Sequence, residues 1–121
     1  MTTSTWASWM ITCECQPSDF EKIGELAAEM TDFFLANEPL TTHFEWSANA
    51  DRNQIHIHER YADSSQAMSH MAAFGDQFGA RFMALLKPVS VVAYGYPSSE
   101  LRSALEGLSP TFMENFSGFH R

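Results

Sequence analysis

Apolar and polar positions along the chain alternate with a period of two in some stretches and recur every three to four residues in others, which marks strands and helices in turn. Residues 6–15 (WASWMITCEC) are rich in Trp, Ile, Thr and Met and predict a first strand, ended by Pro17. Ser18-Asp19-Phe20-Glu21 then has the form of a capping box, with Ser18 and Glu21 expected to satisfy free amides at a helix start. Phe20, Ile23, Ala27, Met30 and Phe34 follow at helical spacing, with Leu26 and Phe33 beside them. Asn37-Glu38-Pro39 closes that helix, because a residue preceding proline avoids helical geometry. Thr42–Ser47 alternates as a second strand, and Gln54–Tyr61 (QIHIHERY) is a third, joined to it through a polar connection at 48–53.

Asp63-Ser64-Ser65 is expected to cap a longer second helix with Ala67, Met71, Phe74, Phe78, Phe82 and Leu85 on its inner face. Gly75 and Gly79 lie near that stripe, and we expect them to permit close approach to the sheet. Pro88 introduces a fourth strand, VSVVAYGY, ended by Pro97. Residues 98–121 form a tail: a short helix with Leu101, Ala104, Leu105 and Leu108 inward, then Phe112, Met113, Phe116 and Phe119, which must dock on their own domain or on a partner chain. The order strand-helix-strand-strand-helix-strand predicts one α+β domain. Its expected form is a ferredoxin-like βαββαβ fold over 1–97, a four-stranded antiparallel sheet with two helices on one face, plus the C-terminal helical tail over 98–121. Two helices cover one sheet face only, so the other face requires a second sheet or solvent, and a homodimer is expected.

Composition narrows the partners. Fifteen Asp and Glu against seven Lys and Arg give a net charge of -8, which argues against nucleic acid and anionic membrane surfaces as partners. The N-terminal stretch has no basic segment ahead of an apolar core, so no leader peptide is expected, and no apolar run is long enough to span a membrane. Cys13 and Cys15 are the two cysteines; two apart on a strand they point to opposite faces, so a reduced, cytoplasmic protein is expected.

On the third strand Ile55, Ile57, Glu59 and Tyr61 share one face, and Gln54, His56, His58 and Arg60 the other. The isoleucine face belongs beneath the helices. In the register we favour, Phe44 and Trp46 of the second strand lie beside it, although the six-residue connection does not fix register and a slip of one residue would swap these partnerships. His43 and Glu45 then join the histidine face. Three readings of His56 and His58 stay open: metal ligands with His43 or Glu45 as a third donor, catalytic bases, or a polar layer between subunits, which we favour; we assign no metal. Glu59 and Tyr61 interrupt an apolar face, where a carboxylate wants a partner. His70 on the second helix is one, with Phe74 and Arg81 along the same edge. Glu59, Tyr61 and His70 beside Trp46, Phe74, Phe78 and Arg81 would form an apolar small-molecule pocket with a few polar groups. Alternatively, Glu59 pairs with Arg81 or His70 for structure alone.

The run Asn37-Glu38-Pro39, Phe44-Glu45-Trp46, Glu59-Arg60-Tyr61-Ala62-Asp63-Ser64, Ala67-x-x-His70 and Phe74 resembles the antibiotic biosynthesis monooxygenase superfamily, over about residues 6–96. The resemblance implies a dimeric α+β barrel with a cleft between sheet and helices in each subunit. It implies cofactor-free oxidation of electron-rich aromatic compounds such as quinols and anthrones by O2. By position, Tyr61 stands where many relatives have a strand-end tryptophan, and His70 matches the histidine of the Ala-x-x-His motif. The first strand lacks the asparagine that oxygenating relatives commonly carry there. Under this reading Glu59 or His70 is the base, Tyr61 orients a ring hydroxyl, and no cofactor is required. The competing readings are a non-catalytic dimer that binds a small aromatic ligand, and a cleft filled by the tail's own phenylalanines.

Overall fold

The computed structural model describes residues 4–121, so the first three residues of the stretch read for a leader lie outside it. The elements are β1 (Ala7–Glu14), α1 (Phe20–Asn37), β2 (Thr41–Ala48), β3 (Gln54–Tyr61), α2 (Ser64–Gln77), α3 (Gly79–Leu85), β4 (Lys87–Gly95), α4 (Ser99–Leu105) and β5 (Thr111–Glu114). Their sheet order is β2-β3-β1-β4-β5. The first four strands are antiparallel neighbours as expected, but the sheet has five strands and is mixed, because β5 pairs parallel with β4. The correction has a physical cause. Without the tail, the outer edge of β4 would leave a row of backbone donors and acceptors unpaired, and residues 111–114 satisfy part of it.

Register follows the expected pattern. Trp46 lies opposite Ile57 and Glu45 opposite His58, with an irregularity between Thr41 and His43. Ile55, Ile57, Glu59 and Tyr61 are buried, while His56 is exposed and His58 half-buried. All the helices bury side chains on this one face. Ile23, Leu26, Met30 and Phe34 of α1 pack on Cys13, Ile55 and Ile57, whereas Leu101 and Leu105 of α4 pack on Trp9, Tyr61 and Ala93.

Several local expectations are revised. Ser18 and Glu21 form no capping box. A 3-10 turn at Pro17–Asp19 leads into α1, and its N-cap residue, Asp19, makes no side-chain cap bond. Asp63 does cap α2, accepting from the Gln66 amide at 2.8 Å. The single long second helix is two, broken at Phe78 (φ -126°) immediately before Gly79. Neither glycine serves a close approach to the sheet: a Cβ at Gly75 would meet open space, and one at Gly79 only the Phe74 carbonyl at 3.6 Å.

The tail docks in part. Phe112 packs against the cluster that contains Leu101 and Leu105, but Leu108 and Met113 are about half exposed, and Phe116 and Phe119 are 97% and 81% exposed. Beyond β5 the chain returns toward the uncovered sheet face, where Arg60 lies over the Trp6 ring at 3.9 Å and His120 approaches its guanidinium at 3.3 Å. Gly95, at φ +88°, is required by Trp6: a Cβ there would sit 2.6 Å from the indole.

Candidate active site

Three elements bring together a cluster of buried polar and ionisable groups. β3 contributes Glu59 and Tyr61 because its period of two continues the isoleucine face to the end of the strand. α2 contributes His70, one turn beyond Ala67 and on the same inward face. Glu38, the residue that ends α1, turns inward beneath them. The His70 ring lies between two carboxylates, with Nδ1 2.9 Å from Glu38 Oε1 and Nε2 2.8 Å from Glu59 Oε1. Tyr61 donates its hydroxyl to Glu59 Oε1 at 2.5 Å, and Thr41 donates to Glu38 Oε1 at 2.8 Å. Phe34 packs on the imidazole at a ring separation of 4.0 Å, with Tyr61 and Phe44 further out, so the ring has no freedom to turn.

The electrostatics follow from these contacts. Burial alone would depress the His70 pKa, but the hydrogen bonds its ring donates to Glu38 and Glu59, and their charges, outweigh it and raise the value from 6.5 to about 9. His70 is therefore an imidazolium at neutral pH, with both N–H groups donating. Burial, followed by the neighbouring Glu59 charge, pushes the Tyr61 hydroxyl well above its ordinary value of 10, so it stays protonated and donates. Glu59 Oε1 accepts both bonds. Among the described residues Oε2 has no protein hydrogen-bond partner, and Glu59 is one of the residues that line a cavity.

That cavity holds about 330 Å3, about twice the roughly 150 Å3 void that accommodates one benzene ring. Its walls are apolar: Trp9 and Phe44 from the sheet, Met71, Phe74 and Phe82 from α2 and α3, and Ala104, Leu105 and Leu108 from α4 and the turn after it. Glu59 and His70 supply its ionisable groups. A second, more polar cleft of about 540 Å3 lies at the opposite end of β3, and none of its charged side chains is buried.

The sequence-derived site residues divide. Glu59, His70 and Phe74 line the cavity. Tyr61 stands behind Glu59, fully buried, and its hydroxyl is already committed there, so it does not reach a ligand. Trp46 packs on Phe82 outside the lining, with its indole N–H buried and unpartnered. Phe78 belongs to the core against Phe33 and Phe34. Arg81 points to solvent and pairs with Glu29 of α1, so the pairing weighed for Glu59 falls to His70. The tail phenylalanines leave the cavity empty; the helical part of the tail builds one wall instead.

Glu38, Trp9 and Met71 were not legible as site residues. One signal does exist for Glu38: an acid at a helix C-terminus opposes the helix dipole, and so calls for a nearby cation. On the uncovered face, His58 lies 3.7 Å from Glu45 and 5.7 Å ring-to-ring from His43. Among the described residues no group of three or more His, Cys, Asp or Glu is placed to hold a metal. Cys13, in the core, has its thiol pushed up to about 12 by burial, while the Cys15 thiol donates to the Arg52 carbonyl at 3.3 Å.

No family model matches this chain, and no characterised protein matches it by sequence. Solved structures do. MupZ from Pseudomonas fluorescens superposes with a TM-score of 0.85 at 22% identity, over 97% of this chain and 95% of that one. A candidate antibiotic biosynthesis monooxygenase from Nitrosomonas europaea gives 0.67 at 16% identity, over 78% and 93%. Another from Caulobacter crescentus gives 0.60 at 17%, over 74% and 86%. At these identities the likeness is one of fold: the chain has the α+β fold of the antibiotic biosynthesis monooxygenases. Among the described residues no helix is long and apolar enough to cross a membrane.

Proposed function

We propose that this protein is a cofactor-independent monooxygenase of the antibiotic biosynthesis type, acting on a small, ionisable aromatic compound of the quinol or anthrone class. The observation that carries the reading is that Glu59, held through Oε1 by Tyr61 and His70, lines an otherwise apolar cavity with its other oxygen unpartnered among the described residues. Glu59 takes a proton from an acidic C–H or O–H of the bound compound. His70 cannot be that base while both of its nitrogens carry protons; as a fixed cation it orients Glu59 and stabilises the anion formed. Tyr61 and Glu38 are positioning residues that act through Glu59 and His70. The electron-rich anion then reduces O2 directly. A ring methylene becomes a carbonyl, one oxygen atom enters the product and the other leaves as water, so electrons and atoms balance without a cofactor. Apolar walls keep water from the anion.

A homodimer is the second part of the reading. Met10, Val92 and Tyr94 lie on the sheet face that no helix covers, and Met113, Phe116 and Phe119 add exposed apolar surface at its edge. The test of activity is aerobic turnover of 1,8-dihydroxyanthrone, followed by O2 uptake and by appearance of the quinone. Wild type turns it over and Glu59→Gln does not, while both bind it. Absence of both binding and turnover, or turnover untouched by Glu59→Gln, overturns the assignment. Light scattering that returns a monomer at micromolar concentration overturns the dimer.

A further inference from the structure

The apolar cavity and the polar cleft meet. Met83 of α3 lines both, and it is 61% exposed, so it stands at their common rim. On β4, Lys87 borders the cleft and the next residue, Pro88, borders the cavity. A methionine side chain is unbranched and flexible, so it gives way to a chain threaded past it at little cost. The cleft offers a definite chemistry. The Asn49 amide donates to Asn53 Oδ1 at 2.6 Å, and Asn49 Oδ1 accepts from the Asn53 and Gln54 amides, so these two asparagines are occupied in holding the β2–β3 turn. The carboxamides of Gln16 and Gln54 and the ammonium of Lys87 remain as exposed donors and acceptors. Glu14 and Asp19, in the same cleft, offset the lysine charge on a chain of net charge -8, which disfavours an anionic occupant. Uncharged hydroxyl or amide groups suit carboxamide partners.

We infer that the ligand of this protein is amphipathic, with an apolar chain or ring system against Glu59 in the cavity and an uncharged hydroxyl- or amide-bearing end beyond Met83, in the cleft of Gln16, Gln54 and Lys87. The inference rests on the reading of the cavity as the substrate site and extends it to a second subsite. A compact, wholly apolar compound uses the cavity alone, and specificity resides in the polar end.

Three probes that share one chain separate the outcomes: 1-octanol, n-octyl β-D-glucoside below its micelle-forming concentration, and sodium octyl sulfate. Binding is read by fluorescence, since Trp9 forms part of the cavity wall, and by backbone amide shifts in NMR. The expected result is that the glucoside binds about tenfold more tightly than octanol, as one or two net hydrogen bonds provide. It shifts amides at Gln16, Gln54 and Lys87 as well as around His70, and the sulfate gains nothing over octanol. Changing Gln16, Gln54 and Lys87 together to alanine, all three exposed and outside the core, removes the glucoside's advantage and leaves octanol binding unchanged. Equal affinity of octanol and glucoside, shifts confined to the cavity, or preference for the sulfate overturns the inference while leaving the cavity reading intact. If octanol and glucoside both fail to bind, the cavity reading falls with it.

Discussion

Replacing Glu38 by glutamine removes one of the two charges that hold His70 protonated while keeping an oxygen where Oε1 accepts from Thr41 and His70. In the wild-type protein the folded-state pKa of His70, about 9, lies above its ordinary 6.5, so the folded state binds the proton more tightly than the unfolded chain. The resulting stabilisation is fully present below about pH 6.5 and is lost as pH rises through about 9. At about 1.4 kcal/mol per pH unit, the gap between those values amounts to about 3 kcal/mol. The charged groups facing the ring are Glu38 from the end of α1 and Glu59 from β3, with neutral Tyr61 behind Glu59. In Glu38→Gln the opposing effect of burial remains while one of the two raising partners is gone, so less of the pH-dependent loss survives. The assay is urea denaturation of both proteins at pH 6, 7, 8, 9 and 10. The quantity of interest is the difference between them, in which the other histidines cancel. The difference should shrink from pH 6 to pH 10, by at most the full gap of about 3 kcal/mol. Carbon-13 NMR of the His70 ring gives an independent reading, with the wild-type midpoint near 9 and the variant's displaced toward the ordinary value. A stability difference that is constant with pH, or a wild-type His70 that titrates near 6.5, refutes the electrostatic account of the site.

Other perturbations have clear signs. Tyr61→Phe removes the donor to Glu59 without touching the cavity wall; it should cost about 1–2 kcal/mol in denaturation and reduce turnover of the anthrone more than its binding. Arg81→Ala should change stability by less than about 0.5 kcal/mol and leave ligand affinity unaltered, because its partner Glu29 is exposed and the cavity lies elsewhere. Gly95→Ala puts a Cβ into the Trp6 indole at a positive φ; thermal denaturation should show a loss of about 2–4 kcal/mol. Met71→Trp, on the cavity wall, should weaken octanol and anthrone binding together, measured by calorimetry, while the His70 midpoint holds.

Period alone determined much of this protein. The alternation of QIHIHERY against THFEWS indicates which face of the hairpin is buried, while the register that sets Trp46 opposite Ile57 was settled only by the fold. The same alternation put Glu59 and Tyr61 on the core side, and helical spacing put His70 opposite them, so three of the four members of the buried polar cluster were readable from residue spacing. What tertiary structure decided has a common physical origin, namely contacts between segments far apart in sequence. Glu38 reads as an ordinary helix-end acid until the fold brings α1 under α2, 32 residues along the chain. Arg81 and Phe78 belong to the helix expected for His70, yet the chain breaks at Phe78, so Arg81 sits on the separate α3 facing Glu29 and Phe78 enters the core. The tail carries no period that announces a strand; residues 111–114 become one because the edge of β4 supplies the missing backbone partners. Local pattern fixes which side of an element is apolar, whereas only the packed chain decides which two elements meet, and the cavity exists where they do.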